Sequence, residues 1–80
     1  MSVTVLLFAS YADAFGAPSV DVELPANATV ADVVAALRMR PGAHVLPLKP
    51  LVAVNEKYAH AGSRVSPGDE IALIPPVAGG

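Results

Sequence analysis

The last six residues, Pro75-Pro76-Val77-Ala78-Gly79-Gly80, have the types and spacing best suited to chemistry in this chain. They follow an apolar run at residues 71–74 that is typical of a buried strand. Proline fixes φ and removes a backbone donor, so Pro75 and Pro76 should end the sheet and direct the chain outward. Glycine lacks a Cβ atom, so Gly79 and Gly80 can enter a slot too narrow for any side chain. Because six extended residues span roughly 20 Å, we expect this tail to carry the carboxylate of Gly80 into another protein's active site.

The composition argues against several other kinds of functional site. The 80 residues include no cysteine, which excludes a disulfide framework, a thiolate metal site and a cysteine nucleophile. The two histidines, His44 and His60, have no Asp or Glu at a ligand-like spacing, so we expect no metal site and no bound cofactor. The net charge is −2 without a basic run, no apolar stretch could cross a bilayer, and no signal peptide is indicated. We therefore expect a cytoplasmic protein that binds neither nucleic acid nor membranes.

Hydrophobic periodicity predicts one small domain over residues 1–74, followed by the functional tail at residues 75–80. We predict strands at residues 3–9, 19–24, 51–55 and 70–74, a short strand near Tyr58, and a helical turn at residues 12–15. The main helix is predicted to begin after Thr29, with Asp32 in a capping-box position. Its apolar stripe is Val30, Val33, Val34 and Leu37. Residues 66–69, Ser-Pro-Gly-Asp, have the sequence of a type II turn.

This order of elements predicts an α+β fold, in which a mixed sheet of four to five strands packs on one main helix. If the first and last strands are both central, they are parallel neighbours, as in the β-grasp arrangement of ubiquitin-like domains. One helix covers only one face of the sheet. On the first strand polar Thr4 marks its own side as the outer one, so Leu6, Phe8 and Ile74 are predicted to form an uncovered apolar patch. We interpret these three as partner-interface residues; the alternative is that residues 43–50 fold over that face.

Three segments of the chain form a further pattern. They are Val5-Leu6-Leu7-Phe8-Ala9 followed by Gly16, then Val52-Ala53-Val54-Asn55, and the run from Gly68-Asp69-Glu70 through Pro75-Pro76-Val77 to Gly79-Gly80. With these segments the chain resembles the sulfur-carrier family that includes the small subunit of molybdopterin synthase and its MoaD-like and ThiS-like relatives. The family often has Arg and Glu where Ala12 and Asp13 stand, and Ser or Thr where Ala78 stands. These departures leave open the relatives that serve thiamine, cysteine or tungsten-cofactor synthesis.

The resemblance implies a specific use of the tail. An ATP-dependent, E1-like enzyme would adenylate Gly80, and sulfur would then displace AMP to leave a thiocarboxylate. Pro75, Pro76, Val77, Ala78 and Gly79 would lie in the active site of the molybdopterin synthase large subunit, in a heterotetramer of two small and two large subunits. There the thiocarboxylate would donate sulfur to a pterin precursor, forming the dithiolene.

The same resemblance implies no catalysis by the chain alone. ATP would bind the activating enzyme, because this sequence has no phosphate-cradling loop. Two other classes of function stay open: a ubiquitin-like modifier joined through Gly80 to lysines of other proteins, and an interaction domain with an inert tail.

Overall fold

Within residues 1–76, five strands and two α-helices form from the predicted segments, with shifts at their ends. The computed structural model describes residues 1–76. Their order is β1 (Ser2–Leu7), α1 (Ala9–Phe15), β2 (Ser19–Glu23), α2 (Val30–Arg38), a 3-10 turn (Ala43–Val45), β3 (Leu51–Val54), β4 (Lys57–Ala59) and β5 (Glu70–Ile74). The first strand ends earlier than predicted because the carbonyl of Phe8 already accepts hydrogen bonds from the amides of Tyr11 and Ala12. Helix α1 is therefore longer than the single turn expected.

The strands form one mixed sheet in the order β2-β1-β5-β3-β4. Strands β1 and β5 are parallel neighbours, with Leu7 opposite Leu73, and the other three pairs are antiparallel. This central parallel pair confirms the predicted β-grasp arrangement. Strand β5 is therefore paired on both sides at residues 71–73, which fixes the point where the tail begins.

Helix α2 covers one face of the sheet and supplies much of the core. Val30, Val33 and Leu37 of its predicted stripe are buried, and Val34 is half-buried. At its start the Asp32 carboxylate accepts hydrogen bonds from the Thr29 amide at 2.8 Å and the Thr29 hydroxyl at 3.3 Å. The predicted N-terminal cap is thus confirmed, and such caps stabilise a helix by about 1 kcal/mol.

Residues 43–50 pack on the helix side of the sheet, so the alternative that they cover the other face is wrong. Leu46 is buried in the core. One guanidinium nitrogen of Arg38, in the last turn of α2, donates to the carbonyls of Pro47 at 2.5 Å and Leu48 at 3.1 Å. These contacts hold the segment against α2 and leave the opposite face of the sheet uncovered.

Gly42, at the end of the connection from α2, is the glycine most sensitive to substitution. Its φ is +96°, and a Cβ atom there would lie 2.3 Å from the carbonyl oxygen of Ala14 in α1. Gly42→Ala is therefore expected to lower the free energy of unfolding by at least about 2–3 kcal/mol, which urea denaturation measures. Gly68→Ala is the matched control, because Gly68 has φ +86° but open space around it. Equal losses in both variants would contradict a role for the close approach to α1.

Candidate functional site

The tail leaves the sheet from the end of β5, between two exposed apolar side chains. Leu51, the first residue of β3, lies opposite Ile74. On the other side Phe8 directly follows Leu7, the partner of Leu73. Phe8 and Leu51 are 46% and 47% exposed. Pro75 is half-buried and Pro76 exposed, and neither belongs to the sheet, which ends at Ile74.

The predicted functional residues of the tail fall in two groups. Pro75 and Pro76 follow β5 directly, as expected. Val77, Ala78, Gly79 and the predicted reactive residue Gly80 lie outside the described residues.

The uncovered face of the sheet is apolar at the end where the tail leaves. A row in register crosses four strands, from Leu6 through Ala72 and Ala53 to Tyr58. Tyr58 is 73% exposed. Leu6, Phe8 and Ile74 border one shallow depression with this row, and their role as partner-interface residues stays a prediction. We call the whole surface the exit patch: Leu6, Phe8, Leu51, Tyr58, Ala72 and Ile74.

Three members of the exit patch were not singled out from the sequence. Leu51 alternates with buried Val52, so strand periodicity alone could have placed it on the uncovered face. Ala72 follows from the same alternation along β5. Tyr58 could not be placed without the register of the β3–β4 pair, in which it lies opposite Ala53.

The other end of this face is polar and acidic. Asp21, Thr4 and Glu70 lie side by side on β2, β1 and β5. The Thr4 hydroxyl donates to the Asp21 carboxylate at 2.9 Å. This row lies at the start of β5, whereas the tail leaves from its end. Glu70 and Glu56 also border the depression beside the exit patch, so a partner surface docked there would meet carboxylates at its margin.

Asp69 organises the turn that leads into β5. Its carboxylate accepts hydrogen bonds from the Ser66 amide at 2.7 Å and the Asn55 side chain at 3.0 Å. The Asn55 and Ser66 hydrogen bonds hold the pKa of Asp69 below its ordinary value. Gly68 has a positive φ and the Asp69 amide donates to the Ser66 carbonyl, as the predicted type II turn requires. Asp69 therefore fixes the register of β5 rather than acting as an acid or base.

The lowered pKa of Asp69 predicts acid sensitivity of this turn. A carboxyl whose pKa is lower in the folded state stabilises the fold above its unfolded pKa, near 4, and loses that contribution as the pH falls through the folded value. Urea unfolding at neutral pH and near pH 3 should show a smaller loss of stability on acidification for Asp69→Asn than for the wild type. Asp13→Asn, which changes an exposed carboxylate on α1, is the control and should keep the wild-type pH dependence. An unchanged pH dependence in Asp69→Asn would contradict this role.

Other kinds of site find little support within residues 1–76. No group of three His, Cys, Asp or Glu side chains there is placed to hold a metal ion. The ring of His60 accepts a hydrogen bond from the Gly62 amide at 3.1 Å, which gives this histidine a role in a turn. No helix in the same residues is long and apolar enough to cross a membrane.

Comparison with known proteins identifies the family. The model of the ThiS family matches residues 5–80. The molybdopterin synthase sulfur carrier subunit of Arabidopsis thaliana is 30% identical over 81 residues, which cover 100% of this chain and 84% of the relative.

Two solved structures have the same fold over nearly the whole chain. SAMP1 of Haloferax volcanii, a small archaeal modifier protein, superposes with a TM-score of 0.86 at 34% identity and covers 100% of both chains. A Pyrococcus furiosus protein described as putative molybdopterin converting factor subunit 1 gives a TM-score of 0.84 at 26% identity, covering 96% of this chain and 99% of the other. The ubiquitin-like fold and the suspected relationship are thereby confirmed, and the chain belongs to the ThiS family of β-grasp sulfur carriers.

Proposed function

We propose that this protein is the sulfur-carrier small subunit of a molybdopterin synthase and that its reactive group is the carboxylate of Gly80. The observation that carries the proposal is the similarity to the Arabidopsis sulfur carrier subunit over the full chain, tail included. The fold supports it, because residues 1–74 form one five-stranded sheet with its helices and the tail at residues 75–80 directly follows the central strand β5.

The chemistry must activate a poor electrophile. A partner enzyme would transfer AMP from ATP to the Gly80 carboxylate, releasing pyrophosphate and forming an acyl adenylate. Sulfide released by a donor would then attack the acyl carbon, forming a C–S bond as the C–O bond to AMP breaks, which yields the thiocarboxylate and free AMP. Because the chain has no cysteine, it offers no persulfide, and sulfur would be carried on the terminal carboxyl group. Neither step needs a cofactor bound by this chain.

The large subunit of the synthase would receive the charged tail, and the exit patch would dock against it. Phe8 and Leu51 flank the start of the tail, so a partner that covers them holds the tail at a fixed entry point. Such positioning is the main catalytic resource that a carrier can supply. Since the dithiolene contains two sulfurs, two charged carriers would be used for each product, consistent with two small and two large subunits.

Reconstitution tests this proposal in two separable steps. The purified chain is incubated with ATP, an E1-like activating enzyme and a sulfur donor, and its intact mass is measured. We expect the mass gain of one oxygen exchanged for one sulfur at Gly80. The charged protein is then mixed with pterin precursor and a molybdopterin synthase large subunit, and dithiolene formation is followed.

The molecule that accepts the sulfur identifies the pathway that the carrier serves. Sulfur transfer to an acceptor of thiamine, cysteine or tungsten-cofactor synthesis, without transfer to the pterin precursor, would overturn the molybdopterin assignment but not the carrier role. Similarity to SAMP1 makes a second outcome informative. Isopeptide-linked Gly80 on lysines of other proteins, without any thiocarboxylate, would overturn the carrier role itself.

A further inference from the structure

A second apolar surface lies on the helix side of the sheet, away from the exit patch. It is a groove between α2 and the two segments at residues 48–50 and 59–61. Ala31, Val34 and Ala35 of α2 form one side, and Leu48 and Pro50 form the other. Because Ala31 and Ala35 are one helical turn apart and small, another helix could approach α2 closely here.

Leu48 on the rim of the groove has no role in the core. It is 93% exposed, the highest value among the exposed large hydrophobic side chains of residues 1–76. Its backbone is nevertheless held in place, because Arg38 donates a hydrogen bond to its carbonyl at 3.1 Å. A fixed backbone that presents an exposed leucine beside an apolar groove is typical of a docking surface.

The charges around the groove have one sign. Arg38 and Lys49 are among the lining residues, and no Asp or Glu is. The whole chain has the opposite balance, with seven Asp and Glu against five Lys and Arg. Acidic side chains such as Asp21 and Glu70 lie on the uncovered face of the sheet instead. The groove therefore complements a segment that has both apolar and acidic side chains.

We propose that this groove binds an acidic amphipathic helix of a partner protein. Its apolar side chains would contact Val34, Ala35 and Leu48, and its carboxylates would face Arg38 and Lys49. Because the groove and the exit patch lie on opposite sides of the sheet, this partner can be bound while the tail is in use. The inference does not depend on sulfur transfer, since it rests only on the shape and charge of the helix side.

The test uses the isotope-labelled full chain and three synthetic helices of about 15 residues, long enough for some helix in isolation. The first has leucines spaced one turn apart, flanked by glutamates; the second has glutamine for glutamate, and the third has serine for leucine. We expect the acidic peptide to shift the amide resonances of Ala31, Ala35 and Ala61, but not those of Leu6 and Ala72. The glutamine peptide should bind about fivefold to tenfold more weakly, and the serine peptide should not bind.

Matched variants locate the binding surface. Leu48→Ser should weaken the binding of the acidic peptide about tenfold, because it removes one leucine contact that binding would bury. Met39→Ser is the control, since Met39 is 86% exposed but does not line the groove. Both residues are too exposed for these changes to unfold the protein.

Three results would overturn the proposal. The first is the absence of any shift in the groove amide resonances at the highest concentration of acidic peptide. The second is a set of shifts that maps to the exit patch. The third is occupation of the groove by this chain itself. It would appear as the same shifts on adding the peptide Pro-Pro-Val-Ala-Gly-Gly, or as their dependence on protein concentration without any peptide.

Discussion

Deleting Gly79 and Gly80 is expected to lower sulfur transfer to the acceptor at least about a hundredfold while leaving the fold intact. Removing two residues retracts the terminal carboxylate by about 7 Å. A displacement of only about 1 Å at a reacting centre can cost about a hundredfold in rate. The new terminal residue, Ala78, also has a Cβ atom that a slot shaped for glycine would exclude. Both effects should lower the rate of sulfur transfer and leave the free energy of unfolding unchanged, because every buried core side chain in the described part of the chain lies at or before Leu73.

Two measurements separate chemistry from folding in this truncation. Pyrophosphate release and sulfur transfer are followed with the activating enzyme and large subunit present, and urea denaturation compares the stability of the two proteins. Ala78→Ser is the control, because it changes the tail but keeps its length, and it should retain activity. A truncated protein that still transferred sulfur at the full rate would overturn the assignment of Gly80 as the reactive residue.

The features that depend on local periodicity could be predicted from the sequence. Alternation along β1 puts Val3, Val5 and Leu7 on the side opposite Thr4, and all three are buried, because side-chain direction in a strand depends only on position. The stripe on α2 and its cap at Thr29 followed from the helical repeat in the same way. The parallel pairing of β1 and β5 followed from one further assumption, that both strands are central.

The features that depend on unusual backbone conformations could not be predicted. Helix α1 begins at Ala9, whose φ of 47° is in the left-handed region that favours glycine. Asn55 and Glu56, which join β3 to β4, have φ of 51° and 70°, as in a type I′ hairpin turn. A glutamate is an unusual residue there, so the sequence did not indicate the register that puts Tyr58 on the uncovered face.

The path of residues 43–50 could not be predicted from the sequence for a different reason. Nothing in their composition says which side of the sheet they cover. That choice depends on the buried Leu46 and on the Arg38 hydrogen bonds to the carbonyls of Pro47 and Leu48. The extent of the exit patch depends on this choice, because the same segment on the other face would have covered it.

Phe8→Asp is expected to weaken binding of the large subunit at least about thirtyfold, equivalent to about 2 kcal/mol. Phe8 borders the same depression as Ile74, the last residue before the tail, so a partner docked on the exit patch would cover it. The substitution would remove an aromatic contact and place an unpaired carboxylate in an apolar interface, and both changes oppose binding. Because Phe8 is 46% exposed in the free protein, its replacement should change the free energy of unfolding much less than the free energy of binding.

The effect of Phe8→Asp must also differ in kind from that of the tail deletion. Titration calorimetry measures affinity for the large subunit, and sulfur transfer is measured over a range of large-subunit concentrations. Since Phe8→Asp leaves Gly80 unchanged, its rate should approach the wild-type rate at saturating large subunit, whereas the truncated protein should stay inactive there. Leu48→Asp, a charge introduced on the opposite side of the sheet, should change neither quantity. Wild-type affinity in Phe8→Asp would exclude the exit patch as the docking surface, because a partner docked there would cover this side chain.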